Sequence, residues 1–367
     1  MKRILLAAVA AFVLYSQMVP TQAVGLSAQS AILIEADSGR VLYEQNADEK
    51  RLIASTTKLM TALVALESGH DVQEVVTIEP EDTRTEGSSL YLKEGEQLTL
   101  ETLLYGLLLH SGNDAALAIA RYCGGSVEAF VEDMNEMAKQ LHMTNSHFEN
   151  PNGLNGETHY STARDMAKLA QACLQQETLA EIVATRSISM EGRSFQNHNK
   201  LLWQYEGCIG MKTGYTELAG RTLVSAAQRD GMTLIAVTLN APDDWNDHKT
   251  LFDYGFSNYR MEPLVEQGQQ ITTMPVSGSV LPMMEVVAAE DFFYPLKDGE
   301  SLEQRCDYFV TSLTAPVLEG EQVGTLSGWV NGVQVAAVPL VCGSLMNEVV
   351  VEQKSPIDQF LDWLNGM

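Results

Sequence analysis

Two turn signals far apart in the chain constrain the fold more than anything else in it. Asp37-Ser38-Gly39 sits between the alternating apolar stretches 31–34 and 41–43, and Asp230-Gly231 joins "RTLVSAAQRDG" to "MTLIAVTLNAP". Each reads as a β-hairpin. Almost everything between them has helical spacing instead. A helix is predicted from Ser55 onward, and two more in "LTLETLLYGLLLHSGNDAALAIARYCGG" break at Ser111-Gly112. A further helix is predicted over 127–141, where Phe130, Met134, Met137 and Leu141 recur at helical spacing. Ser161-Thr162-Ala163-Arg164-Asp165 opens another, running to about Leu174, and "DDWNDHKTLFDYGFSNY" closes the region. These elements predict an α+β domain over residues 24–260, with helices packed on an antiparallel sheet that collects the early hairpin and the late strands.

The texture changes near Met261. Short β-rich runs with Gly and Pro punctuation follow, including the two-residue turn signal Asn331-Gly332, and predict a small all-β domain over 261–352. In residues 353–367, Ile357, Phe360, Leu361 and Leu364 share one helical face, with Trp363 beside it. Two fates compete for this short helix. It could pack on the β domain, or lie on a membrane surface through Phe360, Trp363 and Leu364, although its polar face carries Asp358 and Asp362 where interfacial helices favour Lys or Arg.

The first 23 residues stand apart from the fold. Lys2 and Arg3 precede an apolar run of 11 residues, 4–14, too short to span a bilayer, and Thr21-Gln22-Ala23 resembles a cleavage site. A secretory signal peptide is expected, with cleavage after Ala23. Its removal takes the net charge from −25 to −27, because Lys2 and Arg3 are the only charges it holds. So acidic a chain repels nucleic acid. Five scattered cysteines form no disulfide framework, and Cys123 and Cys173 fall in helical patterns as small core residues. The seven histidines lack metal-ligand spacing, so no metal and no cofactor is expected. His142 and His147, the closest pair, read as belonging to the turn after a helix.

Chemistry enters at "ASTTKLM". Ser55 and Lys58 are three residues apart, on one face of the predicted helix. A serine hydroxyl needs a neighbouring base to act as a nucleophile, and lysine can serve only when its pKa of ~10.4 is lowered by burial or by a second cation. Alone, S-x-x-K recurs by chance about once in a chain of this length. Two further stretches change its weight. Ser111-Gly112-Asn113 and Lys212-Thr213-Gly214 follow in order, giving S-x-x-K, S-x-N and K-T-G. In that set Lys212 supplies the second cation and can attract a substrate carboxylate. Ser111 can relay a proton, Asn113 can hydrogen-bond a substrate amide, and Gly214 leaves the strand edge open to an extended substrate. The backbone N–H groups of Ser55 and Tyr215 would form an oxyanion hole.

With these motifs in place, the chain resembles the low-molecular-weight penicillin-binding proteins that are serine-type D-alanyl-D-alanine carboxypeptidases. The resemblance runs from about Ser30 to Tyr259 and more loosely through the β-rich part. It is carried by "ASTTKLMTAL", "LLLHSGNDAALAIA", "NPNGLNGETHYSTARDMAKLA", "MKTGYTELAG" and "FDYGF". It implies removal of the terminal D-alanine from peptidoglycan stem pentapeptides through an acyl-enzyme on Ser55, with β-lactams acylating the same serine. It further implies an exported enzyme at the outer face of the cytoplasmic membrane, in the periplasm or in the cell wall. A D,D-endopeptidase, a β-lactamase and a non-catalytic wall scaffold are the alternatives on the same fold. Asp165, which matches a residue the family keeps, reads as helix cap and domain glue rather than chemistry, and so does His159. Cys208, four residues before Lys212, reads as strand packing.

Overall fold

The computed structural model describes residues 24–347. The expected leader, 1–23, and the expected C-terminal helix with Phe360, Trp363 and Leu364 lie outside the described residues. Among those described, no helix is long and apolar enough to cross a membrane.

The chain opens with a hairpin, β1 (Ser30–Glu35) and β2 (Val41–Gln45), and then enters α1 (Lys58–Glu67) through a 3-10 turn, Ala54–Thr57. A small ribbon, β3 (Val75–Thr77) with β4 (Gln97–Thr99), precedes α2 (Leu100–Tyr105) and α3 (Asn113–Gly124). Next come α4 (Val127–Gln140), α5 (Ala163–Gln175) and α6 (Glu177–Ala184). A second ribbon, β5 (Ser187–Met190) with β6 (Arg193–Gln196), leads to the single turn α7 (Leu201–Gln204). Then β7 (Cys208–Thr216), β8 (Gly220–Arg229) and β9 (Met232–Leu239) run consecutively into α8 (Asp244–Asn258).

The early hairpin and the late strands do share one sheet, antiparallel throughout, in the order β2-β1-β9-β8-β7. Both of its faces are covered. Ile32, Ile34, Val224, Ala226, Ile235 and Val237 pack against α1–α6, while Leu33, Leu223, Leu234 and Ala236 pack against Leu251 and Phe252 of α8. That double burial explains why β1 is buried at every position. Asp230 and Gly231 take positive φ, 50° and 78°, as a two-residue hairpin turn requires.

Beyond α8 lie β10 (Tyr259–Val265), β11 (Gln270–Ser277), β12 (Met283–Ala288), β13 (Phe292–Lys297) and β14 (Glu303–Tyr308). They are followed by β15 (Leu313–Thr314), β16 (Gln322–Val330) and β17 (Val333–Cys342). Six of these form a sheet ordered β14-β16-β17-β12-β11-β15, and β10 pairs with β13. Their core is their own, built on Leu264, Met284, Val286, Leu326 and Leu340. Asn331 and Gly332, at φ 51° and 79°, make the β16–β17 turn. Arg40, in the first hairpin, ties the two parts together. It sits 2.7 Å from Glu300 and over the rings of Tyr259 and Tyr294.

Candidate active site

The three motifs come from three different elements and meet at the exposed edge of the sheet. Ser55 lies in the 3-10 turn ahead of α1, Ser111 and Asn113 at the join between α2 and α3, and Lys212-Thr213-Gly214 on the edge strand β7. Each join is strained in the same way. Ala54, Ser111 and Met211 hold φ of 47°, 67° and 91°, a left-handed region costing on the order of 1–3 kcal/mol for residues with a Cβ. A chain tolerates that strain only where packing enforces it. Here a π-helical turn, 106–110, swings the helix end so that Ser111 faces the cleft.

Lys58 is the centre of the arrangement. It is 0% exposed, and its Nζ sits 3.0 Å from Ser55 Oγ and 2.7 Å from Asn113 Oδ1, and also bonds the backbone carbonyl of Asn152. Burial, seconded by the charge of Lys212, pushes its pKa well below the usual lysine value, while Asp114 pulls it back. Burial and a second cation were both expected to lower it; both act, and desolvation is the larger. Lys212 is itself buried, with its Nζ donating to Thr213 O at 2.8 Å, and burial lowers its pKa to about 7. Asn113 was expected to hold a substrate amide. Its Oδ1 is taken by Lys58 and its Nδ2 donates to Glu86 O at 2.6 Å, so its visible work is to hold the lysine.

Gly214 leaves no room for a side chain. A Cβ there would stand 2.4 Å from Thr222 Oγ1 and 3.0 Å from the backbone nitrogen of Ser55. The nucleophile turn is fixed to the same strand pair by Thr222 Oγ1, which donates to Ile53 O at 3.0 Å. Tyr215, next along β7, is exposed on the cleft wall. The cleft encloses about 920 Å³ and runs from Ser55 and Ser111 past Thr213 to Arg221 and Trp245.

Several residues escaped the sequence reading. Asn152 contributes only its carbonyl, and Gly153, at φ 85°, lies so close that a Cβ would reach within 2.1 Å of Ala54 O. Asp114 is buried and accepts from Leu90 N, Leu92 N and Ser89 Oγ, fixing the loop beside Asn113. His159 proves to be a support. Its Nδ1 accepts from Glu149 N at 3.1 Å, which leaves Nε2 to donate to Thr57 Oγ1 at 2.8 Å, and burial lowers its pKa to about 4. Thr57 in turn donates to Ala54 O at 2.8 Å.

Asp165 stays away from the cleft. It receives Asn145 N and Ser146 Oγ and pairs with Lys168, whereas the cap of α5 is the hydroxyl of Thr162. His147 bonds the carbonyl of Thr158 rather than the helix end, while Lys168 bonds the carbonyl of His142. Cys208 opens β7 half-buried, its thiol pushed up to about 11 by desolvation, and all five cysteines are free thiols.

Residues 16–243 match the family described as D-alanyl-D-alanine carboxypeptidase, peptidase S11. Residues 259–348 match the penicillin-binding protein 5 C-terminal domain. The chain is 34% identical over 313 residues to D-alanyl-D-alanine carboxypeptidase DacF of Bacillus subtilis (strain 168), covering 82% of this chain and 80% of that protein. To D-alanyl-D-alanine carboxypeptidase DacC of Escherichia coli (strain K12) it is 34% identical over 338 residues, covering 87% and 84%. Among solved structures, penicillin binding protein 5 from Haemophilus influenzae superposes with a TM-score of 0.75 at 29% identity, over 88% of this chain and 98% of that one.

Proposed function

The chain belongs to the D-alanyl-D-alanine carboxypeptidase family, and we propose that it removes the terminal D-alanine from peptidoglycan stem pentapeptides through an acyl-enzyme on Ser55. The observation that carries this reading is the trio of oxygen atoms around Lys58 Nζ. A neutral amine has two N–H bonds and one lone pair. The carbonyl oxygens of Asn113 and Asn152 can only accept, so they take the two N–H bonds. The lone pair is then left for the hydroxyl of Ser55, 3.0 Å away. A lysine with no exposure and a second cation nearby is the lysine that stays neutral.

In the first step the Ser55 proton passes to Lys58 Nζ as Oγ bonds to the carbonyl carbon before the terminal D-alanine. The resulting oxyanion faces the backbone N–H groups of Ser55 and Tyr215. Collapse of the tetrahedral species breaks the C–N bond, and Ser111 passes the proton from Lys58 to the leaving amine. Water then adds to the ester with Lys58 again as base, releasing the shortened peptide and restoring Ser55. Lys212 keeps the pocket cationic, while Thr213 and Gly214 leave the β7 edge free to pair with an extended substrate. A β-lactam would follow the first step and keep its leaving group tethered. Neither a β-lactamase nor a non-catalytic scaffold finds support in the names of the relatives.

The division into a catalytic part, 24–260, and a β-rich part, 261–352, is part of the same reading, supported by their separate cores. So is export to the outer face of the cytoplasmic membrane, the periplasm or the wall, where the substrate lies, with residues 1–23 as the leader. A peripheral membrane contact through Phe360, Trp363 and Leu364 completes it. The test is to incubate purified protein with a stem pentapeptide and measure released D-alanine, with Ser55→Ala as control. Release that persists in the variant overturns the mechanism.

A further inference from the structure

Two imidazoles line the catalytic cleft and take no part in the chemistry described above. His110 ends the π-helical turn, just before Ser111, and His198 lies in the loop between β6 and α7. Both share the cleft with Ser55, Ser111 and Thr213. Their ring centroids are 5.4 Å apart, with the ring planes inclined at 50°. Among the described residues neither ring has a hydrogen-bond partner, whereas the rings of His70, His147, His159 and His248 all do.

The backbone beneath the pair is held firmly. The N–H of His198 donates to Leu109 O at 3.2 Å, which pins its loop to the π-helical turn. On either side of it stand buried asparagines. Asn197 Nδ2 donates to the carbonyls of Val183 and Thr185, both at 3.0 Å, and Asn199 Nδ2 donates to Gly210 O of β7 at 2.8 Å. The two rings are thus brought together by segments already fixed to each other and to β7, so a ligand between them would order little more of the chain.

Their spacing suits a metal ion. With Zn–N about 2.0–2.1 Å, and each ring centroid about 1.2 Å behind its nitrogen, two imidazoles on one tetrahedral zinc stand about 5.2 Å apart. Imidazole is a good ligand for zinc, copper and nickel. Among the described residues no group of three or more His, Cys, Asp and Glu side chains could hold a metal ion. Two rings alone leave two positions of a tetrahedral ion to water or a substrate oxygen. Lys212 is close enough for its charge to act on His198 and opposes a cation there, whereas the net charge of −25 draws cations towards the chain. Such a site should fill reversibly at raised zinc rather than hold a resident ion.

We infer that His110 and His198 form a two-histidine site for a zinc-class divalent cation in the catalytic cleft, and that its occupation blocks access to Ser55. The site stands on geometry and does not rest on the carboxypeptidase reading. Spacing along the sequence hides it, because folding brings its two members together from separate segments.

The full chain is titrated with zinc chloride by calorimetry, and acylation of Ser55 by penicillin is timed over the same zinc series, with EDTA added at the end. Wild type should bind zinc, acylate more slowly as zinc rises, and recover with EDTA. His110→Ala and His198→Ala should each need at least about tenfold more zinc for half inhibition, the lower end of what losing support for a metal costs. Each is compared with its own zinc-free rate. Cys306→Ser removes an exposed thiol on β14 and should behave as wild type.

Wild-type acylation that does not change with zinc overturns the inference, even if the variants fail to fold. Zinc inhibition of equal strength in wild type and both histidine variants overturns it too. So does inhibition that weakens only in Cys306→Ser, which assigns the ion to a thiol. If zinc-free wild type is not acylated at all, the Ser55 mechanism falls, while calorimetric binding lost in both histidine variants still supports the site and binding unchanged in both overturns it.

Discussion

The amine of Lys58 lies 3.0 Å from the hydroxyl oxygen of Ser55, on a lysine with no exposed surface. This pair separates the lysine from an ordinary helix residue, because a solvated lysine would keep its proton and have nothing to offer a hydroxyl. Replacing Lys58 with arginine keeps a long basic side chain but fixes a positive charge there and removes the neutral form. Acylation by penicillin should fall by about 10²–10⁴ in Lys58→Arg, the range of general-base contributions, as followed by loss of free β-lactam over time. An acylation rate within a few-fold of wild type would remove Lys58 from the base role.

The pH profile follows from the same burial. Lys58 loses its function when it takes up a proton, so acylation should fall on the acidic side of the rate profile. Asn113→Asp places an anion against Nζ, where Asn113 Oδ1 now sits at 2.7 Å. An anion favours the protonated lysine, so the acidic limb should move to higher pH and the rate at neutrality should drop. Stopped-flow acylation across pH reads both. An unmoved limb would contradict the assignment.

Lys212 predicts a pH dependence of stability. Its folded pKa is about 7, below the ~10.4 of an unfolded lysine. Between those values the unfolded chain binds more protons, so this residue makes stability rise with pH across roughly 7 to 10. Lys212→Met removes the contribution. The gain in Tm from pH 7 to pH 10 should be smaller in the variant, measured by calorimetry, and parallel curves would count against a buried Lys212 of lowered pKa.

His159 spans two segments with both ring nitrogens, one on Glu149 N and one on Thr57 Oγ1. His159→Ala removes the side-chain partner of Glu149 N and one of the two partners of Thr57 Oγ1, at a cost of about 1–3 kcal/mol. Urea unfolding gives the value directly. Because Thr57 also bonds Ala54 O beside the nucleophile, the variant that remains folded should acylate more slowly than wild type.

How much of this was legible beforehand depended on whether side chains or backbone did the work. The hairpins at Asp37-Ser38-Gly39 and Asp230-Gly231 were readable because positive φ selects a few residue types. The three motifs were readable because their chemistry demands particular residue types at fixed spacing. Asn152 was not, since any residue can supply the carbonyl that bonds Lys58. Asp114 lay hidden inside an otherwise ordinary helix start, its carboxylate holding a loop more than twenty residues back. The covering of both sheet faces was equally hidden, because a continuous apolar run fits a buried strand and a buried helix alike.

The most direct measurement is peptide mapping by mass spectrometry after incubation with penicillin, run beside an assay of D-alanine release from a pentapeptide. The account predicts a single adduct per chain, on the peptide that contains Ser55, and the loss of both adduct and D-alanine release in Ser55→Ala. An adduct on any other residue, or release that survives the substitution, would contradict it.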